Sequence, residues 1–355
     1  MVTSYRKKYV ESEKIMFVPI LLLAIGFVLL IKGGDWFVDG ASGIARRFHL
    51  PEILIGATVV SIGTTLPEVM VSTGAALQGS GSIAYGNAIG SIICNTSLIA
   101  ALTIAIKPTP AARKSMTLPV TFFFIAAAIY CTVAYFFGRF SFTVGLILLA
   151  TFVIYMVLTV LRMKKSAGIE DALAQSEAML EAHTGEDHVV ETEEAGTKDS
   201  LLKDILLLVL GAVLIAFGAD FLVDNAIIIA EKCGVSEKVI GLTIVAVGTS
   251  LPELVTAVTS LIKGHGSLSL GNIIGANLFN LVLVSGMAVT LNPFDLPVSG
   301  VIGGINSSLI IDLPVMLGVM LILTVPTLIR QKLSRWQGIL LLGIYAAFCA
   351  VQFAI

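Results

Sequence analysis

The sequence predicts an all-α polytopic membrane protein with ten transmembrane helices arranged as two inverted five-helix repeats. Three observations carry this. Mean hydropathy is +0.96, and only 13% of the 355 residues are charged, which is far too apolar for a soluble domain. The apolar residues run in ten stretches of about 20 residues, each long enough to cross a hydrocarbon core of roughly 30 Å as helix. Finally, the chain repeats itself at a fixed offset.

The stretches fall at 15–44, 53–77, 83–106, 117–137 and 142–162, then at 203–230, 238–262, 268–291, 305–329 and 336–355. Arg6, Lys7 and Lys8 ahead of the first one imitate a signal peptide. That segment is too long, ends in no small-residue cleavage site, and has a near copy from Leu206, so it reads as a first membrane helix. Residues 1–162 form the first five-helix unit and 201–355 the second. Residues 163–200 between them are rich in Glu and Asp and poor in aromatics, the composition of a solvated linker. No Asp-x-Asp-x-Asp-Gly loop marks a calcium site there.

The repeat is explicit. GATVVSIGTTLPEVMVS (Gly56 to Ser72) returns as GLTIVAVGTSLPELVTA (Gly241 to Ala257), and GNAIGSIICN (Gly86 to Asn95) returns as GNIIGANLFN (Gly271 to Asn280). Glu253 follows Glu68 by 185 residues, as Asn272 follows Asn87 and Asn280 follows Asn95. The signature regions are thus 56–98 and 241–283. Each copy carries an odd number of spans, so the second enters the bilayer in the opposite orientation.

Lys and Arg in the short loops set the topology. With the N-terminus outside, inside loops hold twelve of them (Arg46, Arg47, Lys107, Arg113, Lys114, Arg162, Lys164, Lys165, Lys263, Arg330, Lys332 and Arg335). Outside loops hold three, Arg139, Lys232 and Lys238. The linker is then cytoplasmic, although Arg6, Lys7, Lys8 and Lys14 of the tail argue the other way. Net charge is −2 with no basic, aromatic-interleaved block, which excludes a nucleic-acid partner. Cys94, Cys131, Cys233 and Cys349 have no CxxC spacing, so neither a disulfide framework nor zinc is expected.

Glu68 and Glu253 lie deep in apolar spans, where a carboxylate costs at least about 2.5 kcal/mol and is seldom idle. Each follows a Gly-Thr-Thr/Ser-Leu-Pro run. Proline removes a backbone donor and glycine permits an opened backbone, so each helix is expected to break just before its Glu. Carbonyls around Ser61 to Thr65 and Ala246 to Ser250 are thereby freed as oxygen ligands. A plain proline kink would need a basic partner for each Glu, and Lys32 is the only base clearly inside a span, the others lying at span ends. Two carboxylates with carbonyls and amides, and no His or Cys at matching spacing, form a hard oxygen site suited to Ca²⁺ or Na⁺.

Asn95 and Asn280 are expected to be ligands, each about 80° past two helical turns from Asn87 and Asn272, which serve either as ligands or as backbone caps. Asn277, whose counterpart is Ile92, reads as structural. Gly86, Gly90 and Ser91, with Gly271, Gly275 and Ala276, permit close helix packing. Asp35, Asp39, Asp220, Asp224 and Asp312 read as interfacial, and Gly33, Gly34, Gly40 and Gly43 would ease sliding of the first helix.

At these motifs the sequence resembles the cation/calcium exchanger superfamily, specifically its prokaryotic sodium/calcium exchanger branch, over nearly the whole chain. The resemblance implies electrogenic antiport by alternating access, with Ca²⁺ and several Na⁺ taking turns in one central site. It implies as ligands Glu68, Glu253, Thr64, Thr249, Ser91, Asn95 and Asn280, with Ser61, Ala246, Thr65 and Ser250 contributing to flanking sodium sites. Asn280 stands where some members carry Asp, associated with K⁺ use in the potassium-dependent branch, and so resembles the potassium-independent type. Ile92 in GSIICN resembles the proton/calcium branch, which leaves a H⁺/Ca²⁺ antiporter using the same Glu residues as the alternative. The expected protein is a multi-pass cell-membrane transporter, not an enzyme. It needs no cofactor, and its partners are the transported ions and the lipid bilayer. A channel gains nothing from inverted halves, and a protease would need a nucleophile or zinc set that is missing.

Overall fold

The computed structural model describes residues 2–184, 198–233, 246–298 and 300–354. In chain order the helices are α1 (Val2–Arg47), α2 (Glu52–Leu77), α3 (Gly81–Ile106), α4 (Arg113–Phe136) and α5 (Phe142–Thr184), then α6 (Lys198–Lys232), α7 (Leu251–Ile262), α8 (Gly266–Leu291), α9 (Ser308–Arg330) and α10 (Arg335–Ala354). A single helical turn, Ala246–Gly248, precedes α7. Eight of these helices are long and apolar enough to span a bilayer, namely α1 to α6, α8 and α9. Large apolar side chains such as Met70, Ile106, Phe136 and Ile329 are exposed, as a lipid-facing surface requires.

Two differences from expectation stand out. Two-residue strands are present: Arg139–Phe140 pairs antiparallel with Phe294–Asp295, and Val301–Ile302 with Ile305–Asn306. The helix of the fifth span also runs on to Thr184, well into the segment read as linker, and α6 starts at Lys198, since Glu, Lys and Ala are good helix formers without a core. Residues 185–197 of the linker, and residues 234–245 with Lys238 and the start of the second signature, lie outside the described residues.

Helices α1 and α6 pack against each other through glycines in two heptad-spaced series. A Cβ on Gly26 would meet the Gly218 carbonyl oxygen at 2.9 Å, and one on Gly33 would meet the Gly211 carbonyl oxygen at 2.9 Å. As residue numbers rise on α1 they fall on α6, so the pair is antiparallel. Gly26 and Gly33 are the 185-offset counterparts of Gly211 and Gly218, and each touches the other's counterpart, a reciprocal contact of the kind a two-fold relation generates. The apolar residues of this pair (Leu30, Phe37, Val38, Ile215) cluster with Ile55 and Val60 of α2 and Leu268 of α8, apart from the main core around Ile89, Ile93, Ile274 and Phe279.

The remaining helices interlock reciprocally. The last helix of each unit crosses onto the signature helix of the other, α5 onto α8 and α10 onto α3. At one end of the bundle Lys263, following α7, reaches α1 with its ammonium 2.8 Å from Asp39 Oδ1 and 3.0 Å from the Asp35 carbonyl. This places both aspartates at the exposed end of α1.

Candidate ion site

The four signature helices α2, α3, α7 and α8 meet at the centre of the bundle. Each carries one face of small and hydroxylated residues, which brings backbones close: a Cβ on Gly275 would strike Ser61 and Ala57, and one on Gly271 would strike Ile53. The close packing expected of the glycines is thus seen for α8 on α2. The residues that would face Gly86 and Gly90 at the same offset, 238 and 242, lie outside the described residues.

Local backbone departs from the α-helix at the signatures. π-helical turns occupy Gly56–Val60 in α2, Asn95–Ala100 in α3 and Asn280–Val284 in α8. The expected break before each Glu occurs only once. In the second copy the chain leaves the helix at Thr249 and Ser250, and Pro252 then sits in the first turn of α7, where its missing N–H costs nothing. In the first copy α-helix runs unbroken from Ser61 to Leu77 through Pro67. There the irregularity moves upstream into the π turn, which the Tyr155 hydroxyl supports by donating to the Ala57 carbonyl at 2.9 Å.

Glu68 and Glu253 are both fully buried, and all four carboxylate oxygens lack a hydrogen-bond donor. Among the described residues no Lys, Arg or His forms an ion pair with either. The two acids lie close enough to repel each other. Around them, Ser61, Thr64, Thr65, Ser91, Asn95, Ser250 and Asn280 are buried. Thr65 Oγ1, Ser250 Oγ, both amide atoms of Asn95 and Asn280 Oδ1 have no partner either. A cluster this rich in orphaned oxygens is costly unless a cation gathers them. Thr249 is half-buried, and Ala246 lies in the short turn before it.

The two copies are not used alike. Asn272 Oδ1 accepts the hydroxyl of Thr64 at 3.1 Å, and the Ser61 hydroxyl, whose one proton has the Gly56 carbonyl of its own helix at 2.7 Å, lies 2.9 Å from the Asn272 carbonyl and 3.2 Å from its Oδ1. Thr64 sits beside the Glu253 carboxylate while doing so. Asn87 instead turns to its own hairpin neighbour, donating to the Glu68 carbonyl at 3.2 Å and to Ser72 Oγ at 2.9 Å. Asn277 donates to Thr96 Oγ1 at 2.7 Å and lies against Met320. A crevice lined by Phe37, Gly63, Thr64, Pro67, Ala212 and Pro252 separates the α1/α6 pair from the two proline turns.

Sequence reasoning missed Thr256 and Ser260, which share a stripe with Glu253 on α7 and are buried with unpartnered hydroxyls. Their spacing of three and seven from Glu253 was the available signal, hidden because their first-copy counterparts are Val71 and Ala75.

Two buried, unpaired carboxylates amid hydroxyls and amides, in a helical bundle with a lipid-facing surface, define a polytopic membrane protein with an acidic intramembrane centre. The sequence matches the family described as sodium/calcium exchanger protein over residues 18–161 and 203–354. The chain belongs to that family of membrane transporters. It is 31% identical to the sodium/calcium exchanger MaX1 of Methanosarcina acetivorans, with 95% of this chain and 99% of that protein aligned. It is 33% identical to the inner membrane protein YrbG of Escherichia coli over 78% and 81% of the two chains. Among solved structures it is similar to the sodium-calcium exchanger NCX_Mj soaked with 10 mM Na⁺ and zero Ca²⁺, at TM-score 0.73 and 31% identity over 94% and 99% of the chains.

Proposed function

We propose that this chain is a Na⁺/Ca²⁺ antiporter working by alternating access, with Glu68 and Glu253 as the central ion ligands. One observation carries the assignment: both carboxylates are fully buried without a donor or a base. Together they supply −2, which one Ca²⁺ neutralises. Asn95, Asn280, Thr64, Thr249 and Ser91 complete the calcium shell, while Ser61, Thr65, Ser250 and the Ala246 carbonyl serve flanking Na⁺. The freed carbonyls of Gly63 and Gly248, one turn before each proline, add ligands of the same hard class.

The architecture is ten membrane helices in two inverted repeats, with the N-terminus outside and 163–200 cytoplasmic. The antiparallel α1/α6 pair, held together by reciprocal glycine contacts, moves against the other eight helices and exposes the site to each side in turn. The bonds of Asn272 to α2, unmatched by Asn87, describe one member of that alternation.

Counterflow of ⁴⁵Ca²⁺ into proteoliposomes, driven by a Na⁺ gradient at fixed pH, tests this. Uptake that requires Na⁺ supports the antiporter. Uptake that follows a pH gradient in the absence of Na⁺ replaces it with proton coupling at the same two glutamates.

A further inference from the structure

The two ends of the bundle are closed unequally. At one end α1 lies directly on α7: a Cβ on Gly34 would strike Val255 and come within 2.9 Å of Thr259 Oγ1. The counterparts of Val255 and Thr259 at the 185-residue offset are Met70 and Gly74 on α2, which a strict two-fold relation would place against α6. They are not covered. Met70 is 73% exposed, and nothing lies within 4 Å of a Cβ on Gly74.

Lys263 ties the shut end, one turn beyond Thr259. Its ammonium lies 2.8 Å from Asp39 Oδ1, 3.5 Å from Asp35 Oδ1 and 3.0 Å from the Asp35 carbonyl, so one cation joins two successive turns of α1. Both aspartates recur on α6 as Asp220 and Asp224, but Gln78 stands at the place of Lys263. The second copy thus keeps the acids and replaces the base at that position by an amide, which cannot neutralise them. Two neighbouring ion pairs stay within one moving part or the other. Arg47 with Asp204 joins α1 to α6 at 3.5 Å, and His265 with Glu52 joins the α7–α8 turn to α2 at 2.6 Å. Lys263 instead crosses from the α1/α6 pair to the rest of the bundle.

We propose that Lys263, with Asp35 and Asp39, is an ionic latch that holds the bundle shut at this end, the one whose loop charges read as cytoplasmic, and biases the protein toward the state open at the other. The inference rests on the proposed movement of α1 and α6 against the remaining helices. Opening this end parts Gly34 from Thr259 and draws the ammonium away from both carboxylates. Opening the opposite end breaks no ion pair at residue 78. A partly exposed ion pair is worth up to about fivefold in an equilibrium. That is enough to decide which of two nearly matched states prevails without arresting the cycle.

The test is amide hydrogen–deuterium exchange of the full-length protein in nanodiscs, read separately over 255–265 at the latched end and 70–80 at the other. Lys263→Gln should raise exchange in 255–265 and lower it in 70–80, by about two- to fivefold each. Gln78→Lys places a base toward Asp220 and Asp224 and should move both segments the opposite way. Lys263→Arg, which keeps the charge, should retain the native pattern. A folded Lys263→Gln protein in which neither segment changes overturns the latch. So does one in which both ends loosen together, because loss of a merely structural contact does that. Should Lys263→Gln fail to fold, Gln78→Lys decides alone. Na⁺-driven ⁴⁵Ca²⁺ uptake by the native protein is measured alongside: its absence would count against the antiporter and leave the exchange comparison standing.

Discussion

The Thr64 hydroxyl donates to Asn272 Oδ1 across 3.1 Å, tying the helix that carries Glu68 to the signature helix of the other repeat. Ser61, one turn earlier, lies 2.9 Å from the Asn272 carbonyl while also facing the Gly56 carbonyl at 2.7 Å. The equivalent amide, Asn87, stays within its own hairpin. Asn272→Ala should therefore cost more than Asn87→Ala. It strands the Thr64 hydroxyl in the core, at about 1–3 kcal/mol in stability, while Ser61 keeps the Gly56 carbonyl at 2.7 Å and the backbone carbonyl of residue 272 at 2.9 Å. Thermal unfolding in detergent, with exchange rates from proteoliposomes, compares the two. Equal losses would mean that this asymmetry is absent from the functioning protein.

Glu68→Gln and Glu253→Gln should each abolish Ca²⁺ exchange without preventing membrane insertion. The amide keeps size and polarity but removes half the charge that balances Ca²⁺. Breaking a buried charge pairing costs about 3–5 kcal/mol, which is roughly a hundredfold or more in affinity. ⁴⁵Ca²⁺ flux and gel filtration of the purified variants provide the readout, and wild-type flux in either one would remove that residue from the site.

At Gly33 an added Cβ would lie 2.8 Å from the Ile215 amide nitrogen and 2.9 Å from the Gly211 carbonyl oxygen, backbone atoms that cannot step aside. Gly33→Ala should push α1 from α6, cost about 1–3 kcal/mol as an overpacked contact, and slow exchange. Gly343→Ala is the internal control, since nothing lies within 4 Å of its Cβ position. If Gly33→Ala transports as well as Gly343→Ala, close α1/α6 contact is not required.

Asn280 is fully buried and neutral, with Oδ1 unpartnered and Nδ2 donating to the Ala276 carbonyl at 3.1 Å. Two glutamates with three Na⁺ would carry about +1, and a unit charge is worth about 2.3 kcal/mol per 100 mV. Native uptake should consequently respond to a potential set by K⁺ and valinomycin. Asn280→Asp adds the missing negative charge and should flatten that response or draw a proton or K⁺ into the cycle. A native protein indifferent to voltage would contradict this charge count.

Much of the molecule was legible in the sequence because a bilayer leaves few choices. Apolar stretches of bilayer length must become helices, and eight of the ten expected stretches match spans whose bounds lie within a few residues, as for 83–106 against Gly81–Ile106, whereas of 238–262 the described helix is only Ala246–Gly248 and Leu251–Ile262. Glu68 and Glu253 were recognisable because an acid is conspicuous in an apolar run. Tertiary structure decided what depends on neighbours distant in sequence. Identical Leu-Pro-Glu runs gave an unbroken helix in α2 and a break before α7, because backbone opening depends on what packs around each proline. Repeated asparagines took different partners, because a two-fold pattern in sequence leaves open which half is engaged. Asp312 does lie in the opening turn of its span, as its sequence position implies, but it is buried with Gln352 donating to it, because the neighbours that cover a side chain come from other helices and loops, and no count along its own helix can supply them.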